Sequence, residues 1–176
     1  MLKTDETSGS VLFEEKQKFP GWIKILTVGL ILLTIAIVLI AGLTGPVQQR
    51  GDMWIALAIV VPVEILVIAL FRNVTMEKIV TSNGIYFRWK PWQRKFRVIE
   101  KESIKSFEVR NSPPLHYGIG WLPGYGWIHN ASLGEGMQLY LVNGKRMFFS
   151  SSDPSFFRRA IENIVDKNTK TRVSEF

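Results

Sequence analysis

The sequence predicts an α+β membrane protein: a two-helix transmembrane hairpin followed by an antiparallel β-barrel or sandwich, with a C-terminal helix capping one end. Three observations predict it. Trp22–Leu43 and Met53–Phe71 are apolar runs holding one charge each, Lys24 and Glu64. At about 1.5 Å per residue, each is long enough to cross roughly 30 Å of hydrocarbon. From Val74 to Ser150 the apolar spacing becomes alternating, the mark of half-buried strands. Beyond it, Asp153-Pro154 opens a single amphipathic helical segment.

Taken in order, residues 1–20 are polar and mixed in charge, with Val11-Leu12-Phe13 as their one apolar cluster, and read as a loose cytoplasmic tail. The hairpin occupies 21–72, with spans at about 22–43 and 53–71. Its link, Gly45-Pro46-Val47-Gln48-Gln49-Arg50-Gly51-Asp52, is polar and turn-rich, so the spans run antiparallel. The first span is longer than the apolar core of a cleavable signal and is read as a retained helix. Thr27, Thr34 and Ala41 recur every seven residues and make a small-residue stripe on which the second helix can approach. Pro62 is expected to kink that second helix.

Glu64 requires a reason to be where it is. Seven residues from Phe71, it lies about 10 Å inside the expected boundary, where an ionised carboxylate costs about 2 to 3 kcal/mol. It is therefore expected to be protonated, paired or wet. Antiparallel alignment sets it near Gly29, within reach of Thr27 or a snorkelling Lys24. Two readings follow: a hydrogen bond at the helix interface, or a proton or ion site in an oligomer.

The β domain is expected over 73–166. Val74–Thr81 and Ile85–Lys90 read as strands joined at Ser82-Asn83-Gly84, with Ile85, Phe87 and Trp89 on the core face and Tyr86, Arg88 and Lys90 on the wet one. The alternation around Phe96-Arg97-Val98 and around Phe107-Glu108-Val109 gives two more strands, and Met137–Val142 and Lys145–Ser150 form a hairpin turning at Asn143-Gly144. Between them, Asn111–Gly136 is rich in Gly, Pro and aromatic residues and reads as irregular strands and loops. In the final helix Asp153 is the N-cap and Pro154 the first residue, with Phe156, Phe157, Ala160, Ile161 and Ile164 on one apolar face. Residues 167–176 form a polar tail.

Charge sets the side of the membrane. The net charge is +7, and 17 of the 22 Lys and Arg but only nine of the 15 acids lie from Arg72 onward. Lys16, Lys18, Lys24, Arg72 and Lys78 flank the outer ends of the hairpin, whereas its link has Arg50 alone. The positive-inside rule puts both termini in the cytoplasm, in the cell membrane, with Trp22 and Trp54 in opposite aromatic belts. Adjacent anionic lipid and this topology account for the basic surplus better than nucleic acid does. The absence of cysteine excludes disulfides, thiol catalysis and cysteine-ligated metal.

The strand order with a last Asn-Gly hairpin, then Ser152-Asp153-Pro154 and a helix, resembles a bacterial pleckstrin-homology (PH-like) domain behind a two-helix anchor. Leu12-Phe13-Glu14-Glu15, Tyr117-Gly118-Ile119-Gly120, Trp127-Ile128-His129-Asn130-Ala131-Ser132-Leu133-Gly134 and Gly136-Met137-Gln138-Leu139 resemble a prokaryotic membrane-protein family of unknown function. The resemblance implies the architecture and carries no known chemistry. Lys78, Arg88 and Lys90 echo only in part the basic first hairpin with which PH domains bind phosphoinositides.

No catalytic, metal or cofactor site is read from the sequence. His116 and His129 have no ligand spacing, the glycines from Gly118 to Gly126 precede no helix, and no serine sits in a nucleophile elbow. The chain is read as a non-enzymatic module that binds lipid headgroups or a protein partner. The lipid surface is the turn carrying Lys90, Trp92, Arg94 and Lys95, which a strand out and a strand back return to the bilayer. The partner surface is Tyr117, Trp121, Tyr125, Trp127 and His129. The alternatives are an oligomeric ion or proton pathway using Glu64, and a membrane enzyme needing His129, Glu135 and Ser132 or Asn130 in one pocket.

Overall fold

The computed structural model of the protein describes residues 8–46, 50–114 and 116–165. Val47, Gln48 and Gln49 of the link and the 167–176 tail lie outside the described residues. Those described fall into two compact units, Pro20–Val74 and the remainder of the chain on either side of it.

The first unit is a pair of helices, α1 (Gly21–Thr44) and α2 (Arg50–Asn73). Both are long and apolar enough to cross a membrane. Helix α2 runs unbroken through Pro62. The helices meet along a stripe in α1 of Ile31, Ile35, Val38 and Gly42, the least exposed positions at helical spacing, of which Gly42 is fully buried. A Cβ on Gly42 would run into the Met53 side chain, so this glycine sets the closest approach of the two backbones. Thr27 shares that stripe, but Thr34 and Ala41 are exposed. The expected seven-residue stripe is therefore not the contact face, because 3.6 residues per turn carry it off the seam. Each threonine hydroxyl instead donates to its own helix, Thr27 to Ile23 O at 2.8 Å and Thr34 to Leu30 O at 2.9 Å.

The second unit is a two-sheet β sandwich with a helix. One sheet runs β1-β2-β3-β4 in space, from β1 (Val11–Lys18), β2 (Thr75–Thr81), β3 (Gly84–Lys90) and β4 (Arg97–Glu100), all antiparallel. The other runs β5-β8-β9-β7-β6, from β5 (Ile104–Asn111), β6 (Gly118–Leu122), β7 (Gly126–Asn130), β8 (Glu135–Leu141) and β9 (Arg146–Ser150). The sheets do not close into a barrel among the described residues, and β7 pairs with β9 in parallel, a mixed order where an antiparallel one was expected. Helix α3 (Pro154–Ile164) packs on β1, β2 and β8, capped as predicted by the Asp153 carboxylate accepting from Phe156 N. Phe157, Ala160, Ile161 and Ile164 are its buried face, and Phe156 turns outward.

The loose N-terminal tail is corrected by β1, which pairs with β2 over Val11–Lys18. Its core-facing positions are Phe13, Glu15 and Gln17, two of them polar, so no apolar alternation marks it as a strand. The Asn111–Gly136 segment contains β6 and β7, whose glycines mask the period. Gly126 has φ +77° and lies so close to Arg146 O that a Cβ would collide with it. The core between the sheets joins Ile85, Phe87, Trp89 and Met76 to Phe149, His129, Met137 and Leu139, all buried. Phe87 meets Phe149 edge-on at 5.0 Å between ring centroids.

Candidate functional site

The register of the first sheet gathers cations around one acid. Lys16, Glu77 and Arg88 are cross-strand neighbours in β1, β2 and β3, and Lys18, Thr75 and Lys90 form the next such row on the same face. Glu77 is fully buried and ion-paired three ways: to Arg88 Nε at 2.6 Å, Lys90 Nζ at 3.0 Å and Lys16 Nζ at 3.3 Å. Burial pushes its carboxyl up, but the bonds and charge from Arg88, with those from Lys90 and Lys16, outweigh it and hold the group below the usual range. Three cations around a single carboxylate leave a local excess of positive charge.

That excess continues into the turn after β3. Thr75 pairs with both Lys18 and Lys90, so β1 ends, β2 begins and β3 ends at one edge of the sheet. The turn is closed by Gln93, whose N–H donates to Trp89 O at 2.7 Å and whose side-chain oxygen accepts from Trp89 N at 3.2 Å. It presents Trp92, 61 % exposed, with Arg94 and Lys95 also exposed. Arg88 braces it from below, donating to Arg94 O at 2.9 Å with its guanidinium 4.0 Å from the Phe96 ring centroid. Lys90, Trp92, Arg94 and Lys95 are thus brought to one edge.

The remaining expected basic position, Lys78, points the other way. Its ammonium is buried between the sheets, 2.9 Å from Glu15 Oε2 and 4.1 Å from the Phe157 ring centroid, and it donates to Ser150 O. Burial lowers its pKa to about 8 against the pull of Glu15. Glu15 itself is pushed up by burial and brought down further by the Lys78 charge and by hydrogen bonds from Ser152 N and Ser151, so it ends below the usual range. Gln17 extends the network, donating to Glu15 at 2.9 Å and accepting from Ser150 Oγ at 3.2 Å. The alternation Met76-Lys78-Val80 on a core face was the available signal, since a lysine in that register requires a buried acid.

The expected partner surface divides. Trp121 and Trp127 pair across β6 and β7 and are 59 % and 49 % exposed. Tyr125 is half-buried against Phe148, its hydroxyl donating to Asn111 O at 3.0 Å, and Tyr117 meets Phe19 edge-on at 6.2 Å. His129 does not belong to a surface. It is 3 % exposed, stacked on Phe149 at 5.1 Å, and its Nδ1 accepts from Trp89 Nε1 at 3.1 Å. Burial, assisted by the nearby Arg97 charge, lowers its pKa to about 4.

The enzyme constellation is not assembled. Asn130 is buried and donates to His116 O, Ser132 accepts from Gln17, and Glu135 is exposed beside Pro154 and Arg158 in an open depression of about 470 Å³. No cluster of three or more His, Cys, Asp or Glu is arranged for a metal among the described residues.

In the helices, Glu64 lies on the half-buried stripe of α2. Gly42 against Met53 sets the alignment, so Glu64, eleven residues past Met53, is level with Ile31, eleven before Gly42. Thr27 is a full turn away with its hydroxyl committed to Ile23 O, and Lys24 is exposed. Neither expected partner reaches Glu64, whose Oε2 is enclosed with no hydrogen bond among the described residues.

No protein-family model matches the chain, and no curated protein or solved structure is found to match it.

Proposed function

We propose that the chain is a non-enzymatic, membrane-anchored module: α1 and α2 cross the cell membrane as a hairpin, and the β unit, PH-like in its two sheets and C-terminal helix, binds anionic lipid headgroups on the cytoplasmic side. The observation that carries the reading is the cationic end of the first sheet, where Lys18 and Lys90 lie in one row and the turn after β3 exposes Trp92, Arg94 and Lys95, at the end where β1 stops and β2 starts. A second observation supports the topology. The strands flanking the helical pair are neighbours in one sheet, so the chain must re-emerge on the side it left, as two crossings require. The surplus of basic residues beside the outer helix ends supports placing that side in the cytoplasm.

Each Lys or Arg near an anionic surface contributes about 1 kcal/mol. In nanodiscs containing 30 mol % (roughly one-third) phosphatidylglycerol, amide exchange across the 90–97 turn of the full chain is therefore expected to be slower than in zwitterionic discs. The triple variant Lys90→Gln, Arg94→Gln, Lys95→Gln removes the difference, and raising salt weakens it. Equal exchange in both discs for the wild-type chain sinks the lipid reading.

A second reading, an oligomeric proton or ion pathway, has one observation in its favour, the enclosed and unbonded Oε2 of Glu64 on the helix-facing stripe. Proteoliposome flux that is lost in Glu64→Gln supports it; equal flux in wild type, variant and empty vesicles removes it.

A further inference from the structure

The β6–β7 hairpin presents an apolar face that nothing among the described residues of the β unit covers. Ile119 pairs with His129 and Trp121 with Trp127, so the four side chains share one face of the hairpin. At its inner end that face is sealed, since His129 lies against Phe87 and Phe149. At its outer end it is open: Ile119 is 42 % exposed and both tryptophans more so. Beside the two tryptophans a shallow depression of about 290 Å³ is lined by Gly124, Gly126, Gly144, Lys145 and Arg146, two cations and no acid.

The hairpin begins where the chain leaves for the helices. Phe19, the last residue before Pro20, stands against Tyr117, which immediately precedes β6, and against Trp89 at 6.0 Å. From Tyr117 to Trp121 the strand advances only about 13 Å. Tryptophan and tyrosine favour the water–hydrocarbon boundary, where an amphipathic ring satisfies both solvents, and flanking lysine or arginine meets the phosphates.

We propose that the β6–β7 hairpin is a second membrane contact, setting Ile119, Trp121 and Trp127 into the interfacial layer of an anionic bilayer, with Lys145 and Arg146 against the headgroups. This rests on the helices crossing the membrane and is separate from the basic turn after β3. A second copy of the chain is the less favourable occupant. Two-fold packing of this face would set its cationic rim against itself, and like charges across an interface repel.

The absence of native cysteine allows a single label to report the contact. Ile119→Cys carrying an environment-sensitive fluorophore is measured in the full-length protein in vesicles with and without acyl-brominated lipid. The companion measurement is the tryptophan emission lost in the double variant Trp121→Phe, Trp127→Phe. About twofold quenching of both signals by brominated lipid is expected, greater in anionic than in zwitterionic vesicles. Signals untouched by brominated lipid overturn the proposal, whether aqueous iodide quenches them, as for a solvated hairpin, or neither agent does and the label crosslinks to a partner or a second copy. Emission from Trp22 and Trp54, isolated by their own Phe variants, separates the two failures. If it is quenched while the hairpin is not, the helices are inserted and only the hairpin contact is wrong.

Discussion

Glu15→Ala is expected to lower the unfolding free energy of the β unit by about 3 to 5 kcal/mol, because it leaves a buried ammonium without its counter-charge. Lys78 Nζ lies between the sheets with Glu15 at 2.9 Å and aromatic rings around it, and its side chain is buried. Replacing both partners by apolar groups of similar volume is far milder than removing one. Lys78→Met in the Glu15→Ala background is therefore expected to recover most of the loss. Urea unfolding of the full chain in detergent measures both. A cost for Glu15→Ala within about 0.5 kcal/mol, the range of an ordinary surface substitution, would show that the pair does not hold β1 to the sandwich.

The same pair shapes the pH dependence. As pH falls below the ordinary 4.5 of a glutamate, unfolded Glu15 and Glu77 take up protons before the folded groups do, so stability is lost on acidification. Lys78 acts at the other end. Between about 8 and its ordinary 10.5 the unfolded side chain holds a proton that the folded one has released, so this group adds stability as pH rises through that window.

His129 is expected to give the largest single acid effect above those carboxylates. Its folded pKa of about 4 lies below the ordinary 6.5, so between these values the unfolded state binds a proton that the folded state refuses. Stability is complete above 6.5 and is lost as pH falls toward 4, by up to about 3 kcal/mol at 1.36 kcal/mol per unit. The geometry gives the reason: Nδ1 accepts from the Trp89 indole, and protonating it turns an acceptor into a second donor facing that N–H. His129→Gln, which keeps an acceptor, should flatten the slope of unfolding free energy between pH 4 and 6.5. A slope as steep in the variant as in the wild type would assign the effect elsewhere.

Legibility in the sequence followed how apolar each element is. The two helices, the β2–β3 and β8–β9 hairpins and the capped α3 were readable because length, alternation, Asn-Gly turns and an Asp-Pro cap each have a local cause. Strand β1 was not, since its inward positions Glu15 and Gln17 are satisfied by Lys78 and Ser150, residues far along the chain. The parallel pairing of β7 with β9 was equally hidden, as glycine supplies no side chain to reveal a period. The position of the Lys90–Lys95 turn, at the end of the sheet where β2 begins, was legible because strand lengths return it there. His129 was misplaced among surface aromatics because the indole that buries it lies forty positions away.

The register of β1 on β2 makes the helical pair an insertion at what would otherwise be a simple turn, with Lys18 opposite Thr75. The β unit is therefore not a contiguous stretch of polypeptide. A chain cut to begin at either helix, or just after the second, discards an edge strand and strands Lys78 without its acid. During synthesis β1 emerges first and has no partner until more than fifty further residues have followed. Bridging Phe19 directly to Thr75 with a short Asn-Gly loop would keep all nine described strands while removing both apolar helices.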